Sequence, residues 1–168
     1  MKRKSTAIIG SLFILILMIF IASVTAHAGE YDVLQDLKSV KAVFDIRAGN
    51  SESVAMLLDL ILQTMMDENI KKVTQEPEFA IVFLGPSVKL ISTQTEGVSP
   101  EDKEMLGKIA NTISEMSKNG IRLEICLVAA NMFGVDPASL LPEIKQVSNG
   151  LISLIGYQAK GYSLIPVY

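Results

Sequence analysis

The chain switches between two hydrophobic periods, and each switch marks the edge of an element. Residues 40–46 set Val40, Ala42, Phe44 and Ile46 against Lys41, Val43 and Asp45, the period of two that a strand shows. Ala48-Gly49-Asn50-Ser51 follows as a turn, with Asn50 or Ser51 as the expected helix cap. Val54, Leu57, Leu58, Ile61, Leu62 and Met65 then recur at helical spacing, and Met56, Leu60 and Met66 widen the stripe. A methionine-rich stripe of this kind reads as core. The charged stretch 67–78 contains Pro77 and ends the helix. Residues 79–84 are an unbroken apolar run, as in a strand buried on both faces, stopped by Gly85-Pro86. Residues 88–91 read as an extra strand or extended loop, and 92–99 as an exposed polar segment.

The sharpest helix start is Ser99-Pro100-Glu101-Asp102, which supplies an N-cap hydroxyl, a proline at the first helical position and acids in the first turn. Met105, Leu106, Ile109, Ile113 and Met116 give that helix its buried face, and Gly120 suits the left-handed residue beyond its end. From 121 to 127 the period returns to two, with Ile121, Leu123, Ile125 and Leu127 on one side and Arg122, Glu124 and Cys126 on the other. Residues 127–133 read as a short helix closed by Gly134, 135–139 as a turn, and 142–147 as a further short strand. The helix at 150–160 is apolar on most sides, through Leu151, Ile152, Leu154, Ile155 and Tyr157, so it is expected to be covered all round. Gly161 ends it, and 162–167 give a last strand.

Strands alternating with helices predict an α/β fold, a mainly parallel sheet with helices on both faces. In such sheets ligands collect at the carboxyl ends of the strands, where the next helix presents its N–H groups. Cys126, near the end of its strand, is the only cysteine, so the candidate chemistry centres on it. A thiol facing a helix N-terminus ionises more readily, whereas a packed free cysteine behaves as a small hydrophobe. The pattern leaves both open.

Composition changes the picture at the N-terminus. Met1-Lys2-Arg3-Lys4, an apolar run over residues 7–24 and a small-x-small end at Ala26 and Ala28 are the three parts of a secretory signal peptide, with cleavage expected after Ala28. An uncleaved membrane anchor is the competing reading. Cleavage leaves a single domain at 29–168 and directs it to the periplasm or the exterior. Removing Lys2, Arg3 and Lys4 from the 15 basic residues leaves 12 against 18 acidic ones, a net charge of −6. Nucleic acid and anionic membrane surfaces are therefore not expected partners. The sole histidine, His27, leaves with the signal, which excludes a Ser-His-Asp triad, a Cys-His dyad and a histidine-ligated zinc site. One cysteine excludes an intramolecular disulfide. Gly49-Asn50-Ser51 lacks the lysine and glycine spacing of a phosphate loop. Neither a cofactor nor a metal is expected.

The order Gly120-Ile-Arg-Leu-Glu-Ile-Cys126, Ala129-Ala130, Gly134, Leu140-Leu141-Pro142, Gly150, Gln158-x-Lys160-Gly161-Tyr162 and Pro166 resembles the DsrE/DsrF-like family, also called the YchN-like fold, over most of residues 29–168. The resemblance implies a flavodoxin-like three-layer α/β structure that assembles into trimers or hexamers. It also implies that Cys126 matches a cysteine which, in the sulfur-relay members, accepts and passes on a persulfide sulfur from a donor protein to an acceptor. Those members commonly carry a basic residue shortly before the glycine matching Gly134, where this chain has Asn131-Met132-Phe133. Two functions follow as expectations. One is an exported persulfide carrier in which Cys126 is the reactive residue; Arg122, on the same strand face, is a candidate to assist it, although a surface or register role for the Arg122 and Glu124 pair, as charges that face solvent, is the reading preferred over a catalytic one. The other is a non-catalytic oligomeric protein that holds a small ligand or serves as structure, with an incidental buried thiol.

Overall fold

The computed structural model describes residues 31–168, within which Val33–Tyr168 form one unit. The predicted signal peptide and its cleavage site lie outside the described residues. Among the described residues no helix is long and apolar enough to cross a membrane.

Five strands are described: β1 (Lys41–Ile46), β2 (Glu78–Phe83), β3 (Arg122–Cys126), β4 (Lys145–Val147) and β5 (Ser163–Val167). Every pairing is parallel, in the order β4-β3-β2-β1-β5. The helices are α1 (Ser51–Met66), α2 (Glu68–Val73), α3 (Pro100–Lys118), α4 (Leu127–Met132) and α5 (Gly150–Ala159). Right-handed crossovers set the layers. The steps from β1 to β2 to β3 run in one direction, and their helices α1 and α3 pack together on one face. The step from β4 to β5 returns across the whole sheet and carries α5 over the opposite face, against β1, β2 and β3. The α/β reading with helices on both faces therefore holds.

β2 is the middle strand, and residues 80–83 are wholly buried, as the unbroken apolar run requires. The caps follow the sequence signals. Asn50 Oδ1 accepts from the Ser53 N–H at 2.8 Å, and Ser99 Oγ accepts from the Asp102 N–H at 3.1 Å. Ser51 Oγ donates to the Asp102 carboxylate at 2.7 Å, tying the start of α1 to the start of α3. Gly120 takes φ 81°, the left-handed value that its place after α3 demands.

Several local readings are corrected. Residues 88–91 belong to a 3₁₀ turn, Gly85–Ile91, not to a strand. Pro86 lies in its first turn, and the buried Ser87 hydroxyl donates to Ile46 O and Leu84 O, pinning the ends of β1 and β2. The charged stretch holds a second helix, α2, because Asp67 both ends α1 and caps the next helix through the Asn69 N–H. Met56, Leu60 and Met66 lie outside the buried stripe of α1 and are exposed. Within the protomer α5 is not covered all round: Leu154 is buried, while Leu151, Ile152 and Ile155 are 49%, 64% and 66% exposed. Among the described residues α5 is the helix on that face, with the sheet on one side and no second helix beyond it.

Candidate functional site

Alternation along β3 sends Leu123 and Ile125 toward the α1/α3 layer and Glu124 and Cys126 toward α5. Tyr157 and Gly150 of α5 meet that second pair. Cys126 is the last residue of β3 and the N-cap of α4, yet its side chain makes no capping hydrogen bond. It points instead under the first turn of α5. A Cβ placed on Gly150 would stand 2.9 Å from Cys126 Cβ, 3.1 Å from Val82 Cγ1 and 3.3 Å from Leu84 Cδ2. Only a residue without a side chain lets the α5 backbone descend this far. Asn149 caps the helix there, its Oδ1 accepting from the Leu151 N–H at 3.0 Å. Cys126 thus lies at the start of α4 and beneath the start of α5, where partial positive charge gathers. It is also 97% buried, at 3% exposure.

The sheet register supplies a cation that the sequence reading missed. Ile46 pairs with Phe83, and Phe83 with Ile125. The next transverse row accordingly contains Arg47, Leu84 and Cys126, with Val147 of β4 paired to Cys126. The Arg47 N–H bonds to Val167 O at 2.8 Å and the Leu84 N–H to Ile46 O at 2.9 Å, so the ladder continues past the named strand ends. Two strand spacings put Arg47 about 10 Å from Cys126 along that row. Its guanidinium is clamped by the buried Asp45 carboxylate through Nε at 3.0 Å and Nη2 at 2.9 Å. Those bonds are the main reason the guanidinium's pKa is raised; burial opposes it, and the charges of Asp45, Tyr168 and Cys126 add to it. The row thus places a basic residue two strands from Cys126, with its guanidinium held by Asp45. The one-dimensional signal was an arginine directly after a strand, but its place in the row of Cys126 depends on strand order.

Arg122 is not brought to the thiol. Its guanidinium lies at the other end of the sheet, hydrogen-bonded to the Tyr162 hydroxyl and, at 3.3 Å, to Glu78. Glu124, read as one of a pair of solvent-facing charges, is in fact only 7% exposed. Its carboxylate turns away from the thiol to accept from the Tyr157 hydroxyl at 3.2 Å. Among the described residues no group of His, Cys, Asp and Glu is arranged to hold a metal ion.

The arrangement packs one thiol among apolar side chains at the carboxyl end of a parallel sheet, with helix starts beside it and an arginine, held by Asp45, two strands away. Two solved structures share the fold. A protein of unknown function from Methanobacterium thermoautotrophicum superposes with a TM-score of 0.59 at 20% identity, covering 76% of this chain and 99% of its own. The YchN protein from E. coli superposes with a TM-score of 0.50 at 12% identity, covering 79% of this chain and 100% of its own. Among curated proteins there is no match. The family model described as DsrE/DsrF-like matches residues 41–167, the whole span from β1 to β5, and the chain belongs to the DsrE/DsrF-like family.

Proposed function

We propose that the protein is a sulfur carrier in which Cys126 accepts a sulfane sulfur and passes it on, and that it acts after export as a homo-oligomer. The observation that carries the reading is the placement of the sole thiol under the first turn of α5, in the same row as Arg47. In the step proposed, the Cys126 thiolate attacks the outer sulfur of a donor persulfide. The donor S–S bond breaks, its inner sulfur leaves as a thiolate, and Cys126 holds the new persulfide. No external oxidant or reductant is consumed. The positive groups on that side of the sheet are the α5 N–H groups beside the thiol and, two strands away, Arg47.

The 3% exposure of Cys126 favours a second reading, an oligomeric binding or structural protein whose thiol is packing. Reactivity separates the two. A carrier alkylates while folded and gains the mass of one sulfur atom after exposure to a persulfide donor, and Cys126→Ser abolishes that gain. A packed thiol reacts only on unfolding.

The exposed Leu151, Ile152 and Ile155 support assembly, since apolar patches of this kind mark contact surfaces. Light scattering at micromolar concentration is expected to give a multimer; a monomer contradicts it. Export predicts a purified protein that starts at Gly29, and membrane-bound protein retaining Met1 would contradict it.

A further inference from the structure

Four strands open on a charged residue: Lys41 on β1, Glu78 on β2, Arg122 on β3 and Lys145 on β4. Alternation turns all four toward the α5 face, at the end of the sheet away from Cys126. With Lys160, just past the end of α5, they line a cavity of about 670 Å³ beside that helix. The volume falls within the ~300–1,000 Å³ of small-molecule sites.

The cluster is unbalanced. The chain as a whole is acidic, with 18 acidic against 15 basic residues, yet here four cations accompany two carboxylates, an excess of two positive charges. Glu78 is occupied by Lys41 at 2.6 Å, the Tyr162 hydroxyl at 2.7 Å and Arg122 at 3.3 Å. Glu124 is buried, with Oε2 unpartnered and Oε1 taking the Tyr157 hydroxyl, so it is shut off from a ligand. Lys145 stands 3.7 Å from it, too far for a hydrogen bond, and is itself exposed. Lys160, also exposed, forms no ion pair among the described residues.

Arg122 is the most constrained of the four cations. Its Nη1 donates to Glu78 and to the Tyr162 hydroxyl, and that hydroxyl is itself fixed by donating to Glu78. Tyr162 is buried, with its ring edge-on to Tyr157 at 5.0 Å, so the guanidinium has a stiff anchor. Its Nε and Nη2 have no hydrogen-bond partner among the described residues, and the side chain is half exposed where it lines the cavity. Those two nitrogens form the fork that takes two oxygens of a carboxylate or phosphate at once. A fork already held in place loses little freedom on binding.

We propose that this cavity binds a small organic dianion, a dicarboxylate or a phosphate monoester, at a site about 13 Å along β3 from Cys126. One pair of its oxygens meets the Arg122 fork, and the remaining charge meets Lys145 and Lys160. Two negative charges match the excess of two cations, so a dianion is held in preference to a monoanion.

Titration calorimetry on the full chain at low ionic strength, with succinate, glycerol 3-phosphate and acetate as probes, tests this. At least one of the two dianions is expected to bind one to one and about tenfold or more tighter than acetate. The tighter of the two distinguishes a dicarboxylate site from a phosphate-ester site. Arg122→Lys keeps the charge but removes the fork, and is expected to weaken that dianion about tenfold. Lys160→Ala, an exposed change, is expected to weaken it about threefold or more, and carries the test if thermal melting shows that Arg122→Lys does not fold. Absence of binding by either dianion at millimolar concentration overturns the proposal. So does acetate binding as tight as the dianions, or dianion binding that the folded variants leave within about twofold.

Discussion

One helix covers two ends of the same sheet face, and its two internal glycines behave in opposite ways. At Gly150 an added Cβ would strike Cys126, Val82 and Leu84, whereas at Gly156 it would meet nothing within 4 Å. α5 is therefore seated on the sheet at its first turn, while Gly156 lies on an exposed flank of its second half, beside a cavity lined by Lys41, Glu78, Arg122, Lys145 and Lys160. The sheet residues below match this difference. The seated end holds a thiol among apolar side chains, and a carboxylate–arginine pair closes its border. The cavity end holds ionic groups that need water or a ligand. A close backbone approach packs the thiol among apolar side chains, and the side chains around Tyr157 leave a cavity lined by ionic groups.

Breaking the seat is expected to have the largest effect. Gly150→Ala forces the α5 backbone away from Cys126 Cβ, which has no freedom to yield, and is expected to cost about 1–3 kcal/mol in chemical denaturation. It should also speed alkylation of Cys126. Unchanged stability would mean that the first turn is not seated as described. Next comes Tyr157→Phe at the cavity end. It removes a hydrogen-bond donor to Glu124, already short of partners, for an expected loss of about 1–2 kcal/mol near neutral pH. The Tyr157 hydroxyl itself is pushed up to about 12, first by burial and then by the Glu124 charge, so it stays a donor throughout the working range.

Acid sharpens the comparison by acting at the cavity end. Hydrogen bonds from Lys41 and then Tyr162, against the opposing effect of burial, lower Glu78 from 4.5 to about 2. A lowered carboxylate contributes stability that is fully present above its unfolded value near 4.5 and is lost as the pH falls through about 2. The Glu78 side chain is 36% exposed, so solvent screening reduces that contribution to about 1 kcal/mol. Glu78→Gln should flatten this part of the stability profile between about pH 5 and 2. A profile with the wild-type slope would show that the cluster is not ionically held. The smallest effect is the reverse of the first: Gly156→Ala, in open space on a helix, is expected to stabilise by about 0.5–1 kcal/mol. Destabilisation there would contradict the open space around Gly156.

These differences also mark what the sequence could tell. Elements fixed by neighbours were legible, because a cap or a period acts over a few residues: Ser99-Pro100 opens α3, Gly120 closes it, and alternation places Cys126 and Glu124 on one face. Cys126 at the strand's end was legible for the same reason. Arg47 was not, since its row with Cys126 exists only once β2 lies between β1 and β3. Glu124 was misjudged because a charged residue in an alternating strand carries no sign of which helix lies over it, and α5 arrives from sequence 26 or more residues later. Gly150 stood out as one element of the family resemblance, but its reason, the approach to Cys126, is a tertiary fact.

The central claim is that the seated end of α5 makes Cys126 a sulfur-bearing thiol. Its most direct test is the intact mass of the folded protein after exposure to a low-molecular-weight persulfide and removal of the excess. The account predicts the mass of one additional sulfur on the wild type, removed by a thiol reductant, and none on Cys126→Ser. A folded wild-type protein that gains no sulfur, with a thiol that alkylates only after unfolding, would contradict it.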